Sequence, residues 1–559
     1  MPFNVMAAGG VSHARVHNIA LYASSLLCRC AGARGIASFR HANECRHPVL
    51  SRMTLHPEIL LSDARLKSPA ASRQLKYNEL PKLQAERKKF DEFLAVDLAH
   101  TAMLVAQEII APAAGRAILQ QLLAIQEMGR DEFPVDVRKG SFLLQMESYL
   151  FAAIGEEVGG QMHTGRSRID QGATVRRLYQ RNRILDVMGR LNALQAAIAE
   201  QAEKHARTIM PGYTHMQQAQ PWVFGHYLLS FSSRLHDSFE RLTQAYARVN
   251  RNPLGTVGLA GTSWPLDRAL TTRLLGFDGL VENSKLGREA FYAVDALSAL
   301  SFVMADLNDL ATDLHVWSSS EFGLVECDDS YCGTSSIFPQ KKNPTALEYV
   351  RRAAGASVTW VSTALATFRG EGTGDQAMRE APILDEALAT AEAMLDLFTG
   401  VMETLIVHED RMAAALKESW CTSSNLADVI VRDCGLSFRQ VHHIVARVVR
   451  NSLSESVAPY ELTGAMVDRA ALETVGRPIG LSDSSVQTAL NPREFVETRV
   501  TAGGVGPLEV RRLLAQAREQ CAADMRWTDA ARSALAEARC ALDRAVGGIL
   551  APTSQPLGH

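Results

Sequence analysis

A glycine followed by three hydroxyls and two lysines is suited to surrounding an anion. That run is Gly333-Thr334-Ser335-Ser336-Ile337-Phe338-Pro339-Gln340-Lys341-Lys342-Asn343-Pro344. A mobile backbone can bring amides, hydroxyls and cations together around developing negative charge. A polar surface loop ending in a helix cap accounts for it equally: Asn343 fits an N-cap and Pro344 a first helical position, which places Glu348 in the second turn. A second run, Met162 to Gln171, sets Arg166 and Arg168 around Ser167, just after Gly165. Guanidinium forks pair with carboxylates, so two of them can converge on a dicarboxylate; a solvated turn is the plainer alternative. A third, Met210 to Pro221, carries His215 beside Thr214. Imidazole exchanges protons near neutral pH, although a lone histidine is more often a structural residue.

These loops need rigid supports, and the sequence supplies long helices. From about Leu80 onward the apolar spacing is helical. Phe93 to Ile110 reads as an amphipathic run. Residues 174–207 place Leu178, Leu185, Met188, Leu191, Leu194 and Ile198 three or four apart. Residues 222–249 and 289–318 repeat the pattern without an internal Gly or Pro. Helices of this length point to a long bundle. Strand alternation is scarce, so a doubly wound α/β sheet is not expected. The polar connections 159–171, 210–221 and 327–344 lie between these helices, with a fourth at 369–380. Gly503-Gly504-Val505-Gly506-Pro507 precedes a helix expected over 508–520, and residues 522–550 form a helix-prone tail.

Composition narrows the classes. The net charge of −3 gives no basic field for nucleic acid or an anionic membrane. No apolar run reaches bilayer length. Nine scattered cysteines do not read as a disulfide framework, which favours a reducing compartment. Cys28, Cys30, Cys45 and His47 fit no common zinc spacing. Residues 1–43 lack Asp and Glu. That suits either an organellar targeting segment or a plain extension, with Met53 as an alternative start. No cofactor or metal is suggested, and the expected location is cytoplasmic.

Taken together, the three loops resemble the argininosuccinate lyase branch of the aspartase/fumarase superfamily. The Gly333–Asn343 run is similar to the superfamily signature, with Thr334 in place of its first serine and Ser335-Ser336 as the serine pair. Gln340-Lys341-Lys342-Asn343-Pro344, His163-Thr164-Gly165-Arg166-Ser167-Arg168 and Pro211-Gly212-Tyr213-Thr214-His215 resemble the branch in particular, and the likeness extends over about residues 90–520. It implies an all-α, three-domain fold with a long central helical bundle. The expected divisions are 1–52 as an N-terminal extension, 53–170, 171–420, 421–520 and a helical tail 521–559. It implies a homotetramer whose active sites take loops from three subunits. It also implies anti elimination of fumarate from an N-(1,2-dicarboxyethyl) amine. Ser335 would be the base and His215 the general acid, or the holder of it, with Glu348 paired to His215. Lys341 would steady the serine alkoxide. Ser167, Arg168, Thr214, Ser336, Gln340, Lys341 and Asn343 would bind the dicarboxylate half.

The chain departs from the branch on the amine side. Ile169 stands where Asn is usual and Phe338 where Met is usual. Gly140-Ser141-Phe142-Leu143 replaces an acidic stretch. Residues 369–379 lack the tyrosine of the arginine-gripping segment and are shorter. These changes suggest a different amine, such as the aminopolycarboxylate of ethylenediaminedisuccinate lyases, with Arg369 or Arg379 meeting an extra carboxylate. A catalytically inactive, crystallin-like relative is the remaining alternative.

Overall fold

The computed structural model describes residues 68–368 and 381–551. The expectations for residues 1–52, for the Cys28–His47 cluster, and for Arg369 and Arg379 lie outside the described residues. Within them the fold is all-α, as expected, and its β structure is confined to three two-stranded pieces.

Four long helices carry the architecture. α1 is Phe90–Ala106, α2 is Arg168–Lys204, α3 is Phe224–Val249 and α4 is Tyr292–Trp317. Apolar spacing alone predicts all four, with ends displaced by no more than two helical turns. α1 differs in character. It is buried on nearly every face, not amphipathic, as a helix apolar all round must be. α5, Thr345–Ser357, and α6, Pro382–Glu403, pack along α4. The final helix, α7, runs Pro507–Leu550, far past the expected end at 520. No Gly or Pro interrupts it after Pro507 until Gly547, so nothing stops propagation, and it docks on α2 and α3.

Side-chain contacts orient the bundle. Arg177 Nη1 on α2 donates to the Arg248 carbonyl at 2.8 Å, and the Tyr292 hydroxyl donates to Gln180 Oε1 at 2.8 Å. The end of α3 and the start of α4 therefore lie beside the start of α2. At the far end, the Trp317 ring sits 4.8 Å from that of Tyr227. Gln201 Nε2 reaches the Glu403 carbonyl at 3.5 Å, placing the end of α6 there too. With 37 residues, α2 is about 55 Å long at 1.5 Å per residue. That length separates the two ends of the bundle.

Three hydrophobic clusters follow the chain. One joins the bundle helices from Ile184 to Ala517. A second packs Leu83–Leu178 with Leu254–Phe277, Leu542 and Val546. A third, Leu426–Leu490, belongs to the shorter helices near the C-terminus.

Candidate active site

The first loop sits at the lower end, at the start of α2. Ser167 is the N-cap: its Oγ accepts from Ile169 N at 3.2 Å, and its own N–H donates to Asp170 Oδ1 at 2.8 Å, a capping box. Asp170 also accepts from the N–H groups of Gly255 at 2.8 Å and Val257 at 2.9 Å. Burial works to raise its pKa, and these backbone donors oppose it. One carboxylate thus ties the first loop to the 255–262 turn. Gly165 has φ +72°, and a Cβ there would lie 2.8 Å from Leu266 Cδ2, so only glycine fits.

The two arginines do not converge, contrary to expectation. Arg166 turns inward and pairs with Asp97 at 2.6 Å, both side chains 0% exposed. Gln171 Nε2 donates to the same carboxylate oxygen at 2.6 Å. Burial raises the Asp97 pKa, with Arg166 opposing. His100 lies alongside, held neutral first by burial and then by the Arg166 charge; its Nε2 contacts the Thr164 carbonyl at 2.9 Å. Arg168, the first residue of α2, faces outward and makes no ion pair among the described residues. A helix N-terminus with a free guanidinium attracts anions.

The second loop is a hairpin at the upper end, not a simple lead-in to a helix. β1, Ile209–Thr214, pairs antiparallel with β2, Gln217–Val223. His215 and Met216 form its two-residue turn, with φ +56° and +60°. Both sit in the left-handed region, which non-glycine residues adopt at roughly 1–2 kcal/mol each. The turn places His215 at an exposed tip of the hairpin. The hairpin is anchored by Tyr213 against Phe322, ring centroids 5.7 Å apart, and by Gln220 Nε2 on Ser424 Oγ at 3.1 Å. Trp222 Nε1 donates to His226 Nδ1 at 2.9 Å, which leaves the proton on Nε2, 3.0 Å from the Gly503 carbonyl. The hairpin and the Gly503–Pro507 turn are thereby locked together.

The third loop is closed at its base by a minimal ladder. β3, Gly333–Thr334, pairs with β4, Lys342–Asn343. That ladder claims Asn343, so the helix starts at Thr345 with Pro344 at its cap, one residue later than expected, and Glu348 falls in its first turn. Within the loop, Ser335 Oγ accepts from the N–H groups of Ile337 at 3.3 Å and Phe338 at 3.0 Å. Two amides aimed at one oxygen favour its anion. Ser336, Gln340 and Lys341 are exposed on the same loop. Lys342 is different: its Nζ pairs with Glu326 and Asp329, each at 2.7 Å. It clamps the loop and leaves Lys341 as the outward cation.

Glu348 pairs within the chain to His315, at 3.8 Å, and not to His215. The His315 ring accepts on Nδ1 from Arg351 Nη1 at 2.5 Å, so its Nε2 proton faces the Glu348 carboxylate. Glu348 remains 52% exposed and open to a second partner. Sequence reasoning missed Asp97, Asp170, Glu326, His315 and Arg351. Asp170 carries the local Ser-x-x-Asp capping pattern with Ser167, but its tie to Gly255 and Val257, like the partners of the other four, lies far along the chain.

No hydrogen bond or ion pair among the described residues joins the three loops. Thr214, His215 and the Ser335 loop occupy the upper end, while Ser167 and Arg168 lie at the other end of α2.

An all-α bundle presenting an amide-cradled serine, an exposed histidine and an arginine at a helix start matches the lyase resemblance of its sequence. The family models agree. Residues 72–358 match the family described as "Lyase", and residues 420–497 match "Argininosuccinate lyase C-terminal". The chain is 34% identical to argininosuccinate lyase 1 of Shouchella clausii over 82% of its length and 93% of that protein. It is 36% identical to argininosuccinate lyase of Methanosarcina barkeri over 82% of its length and 92% of the relative. Among solved structures, EDDS lyase in complex with formate aligns at TM-score 0.78 and 31% identity, covering 87% of this chain and 97% of that one. A fumarate lyase from Mesorhizobium sp. BNC1, at TM-score 0.62 and 20% identity, shares the fold. The chain belongs to the argininosuccinate lyase family. Among the described residues no helix is long and apolar enough to cross a membrane.

Proposed function

We propose that the protein eliminates fumarate from an N-(1,2-dicarboxyethyl) amine in a site assembled from several copies of the chain. Ser335, as alkoxide, takes the proton from the carbon next to the one bearing nitrogen. The electron pair forms the double bond of fumarate as the C–N bond breaks. His215 protonates the departing nitrogen. Arg168, with Ser167, Thr214, Ser336, Gln340 and Asn343, holds the two carboxylates, and Lys341 offsets charge on the serine and on the carbanion. The observation that carries this reading is the pair of backbone amides on Ser335 Oγ, which stabilise the base form of an otherwise weak base.

Helix length supports assembly from copies. Arg168 and Ser335 lie at opposite ends of a helix about 55 Å long, too far apart for one small substrate. A bundle running antiparallel to a second copy brings one upper end to another lower end. Pairing the exposed Glu348 of one chain with the His215 of another calls for a further copy whose upper end meets this one.

Argininosuccinate is the first substrate to test and an aminopolycarboxylate of the EDDS kind the second. The assay is fumarate release by the purified protein. Arg168→Leu and Ser335→Ala chains, each inactive alone, should regain part of the activity when co-expressed, because some hybrid sites hold both native residues. No release from either substrate class would refute the lyase reading. Release without complementation would refute shared sites.

A further inference from the structure

Beside the start of α2 lies a recess lined by Lys82, Glu86, Lys89, Arg176, Gln180 and Asp385. Three cations face two carboxylates there, and the carboxylates are engaged. Asp385 accepts from Lys89 at 2.7 Å and from Gln180 at 3.1 Å. Glu86 accepts from the Phe142 N–H at 2.7 Å. Arg176 makes no hydrogen bond or ion pair among the described residues, and its Nε is buried without a partner. A shielded donor with no acceptor is costly, and an arriving carboxylate would relieve that cost.

Position connects this guanidinium to the dicarboxylate half of the site. Arg168, Gly172 and Arg176 follow one another at four-residue steps, so they share one face of α2. The Arg176 side chain folds back toward the helix start: Nη1 lies 3.3 Å from where a Cβ on Gly172 would be. Glycine at 172 gives the guanidinium room to lie one turn, about 6 Å, from the level of Arg168. Two guanidinium groups on one face, a turn apart, suit an anion with carboxylates at both ends.

We infer that Arg176 is a specificity-determining residue that binds a carboxylate carried by the amine half of the substrate. This rests on the lyase reading above. Arg176 touches no reacting atom, so it acts on binding more than on chemistry.

The test runs the reaction in the addition direction with full-length protein, fumarate and amine pairs that differ by one carboxylate: arginine against agmatine, and lysine against cadaverine. Adducts are counted by mass. Wild type should favour the carboxylated member at least tenfold in kcat/KM. Arg176→Gln should erase that preference, mainly through KM. Arg176→Lys, which keeps the charge but loses the fork, should retain part of it and guards against loss through misfolding. Wild type adding both members of each pair equally would overturn the inference and leave the lyase reading standing. So would an Arg176→Gln protein with the wild-type preference. If no amine adds and no N-(1,2-dicarboxyethyl) amine is cleaved, the lyase reading falls and this inference with it.

Discussion

The two ends of the bundle are built on opposite principles. At the lower end, the loop carrying Ser167 and Arg168 rests on fully buried charge: Arg166 on Asp97, and Asp170 on the amides of Ser167, Gly255 and Val257. At the upper end, the Ser335 loop is held by a two-residue ladder and one surface clamp, and His215 sits on a strained turn. The contrast matches the demands on each. Gripping carboxylates requires fixed guanidinium geometry. Proton transfer requires an exposed group that can approach and leave. Under the proposed function, a rigid holder from one chain would face a lightly tethered tool from another.

The sharpest way to break that contrast is Ser335→Ala. Removing Ser335, the proposed general base, should lower turnover by about 10²–10⁴-fold. Because the loop packs little, urea unfolding should show stability within about 1 kcal/mol of wild type. A near-wild-type rate would remove Ser335 from the mechanism.

The same logic predicts the reverse at Asp97. Asp97→Asn leaves Arg166 charged, buried and poorly paired, which should destabilise the protein by about 3–5 kcal/mol in the same urea measurement. Replacing both partners with apolar residues of similar volume should recover much of that loss. A single mutant as stable as wild type would show that the lower end is not founded on this pair.

How much of this is legible in the sequence depends on how local each cause is. The Ser335 motif is a contiguous run, so its serines, Gln340 and Lys341 can be named from the order of residues alone. The hairpin cannot. Its turn is His215-Met216, with no Asn-Gly or Asp-Gly to announce it. Arg166 and Arg168 are indistinguishable by type, and what separates their roles is Asp97, 69 residues from Arg166. Lys341 and Lys342 are adjacent and alike; Glu326, 16 residues before Lys342, decides which one is tied down. The α1 helix is visible by its period, but its burial depends on neighbours from distant parts of the chain.

Strain at the hairpin gives a smaller test. Met216→Gly should relieve one left-handed residue. After glycine's own entropic cost, a gain of about 0.5–1 kcal/mol is expected, read as a raised Tm. A lowered Tm would mean that the turn is not strained and that His215 is presented by something else.

The smallest expected effect concerns the clamp on the Ser335 loop. Lys342 donates to Glu326 at 2.7 Å and holds its carboxyl below the ordinary value of 4.5; partial burial opposes this and His408 adds to it. A carboxylate with a lowered folded pKa contributes stability that is fully present above its ordinary value. That contribution drains away as pH falls through the lowered one. The clamp should therefore be intact across neutral pH and loosen only in acid. Glu326 is 41% exposed, so solvent screening limits its worth to about 1 kcal/mol or less. Glu326→Gln should lower Tm slightly at neutral pH and by less in acid, where the wild-type carboxylate is already protonated. If the gap between the two proteins stays constant as pH falls, the ion pair is not what closes the loop, and the β3–β4 ladder alone must do so.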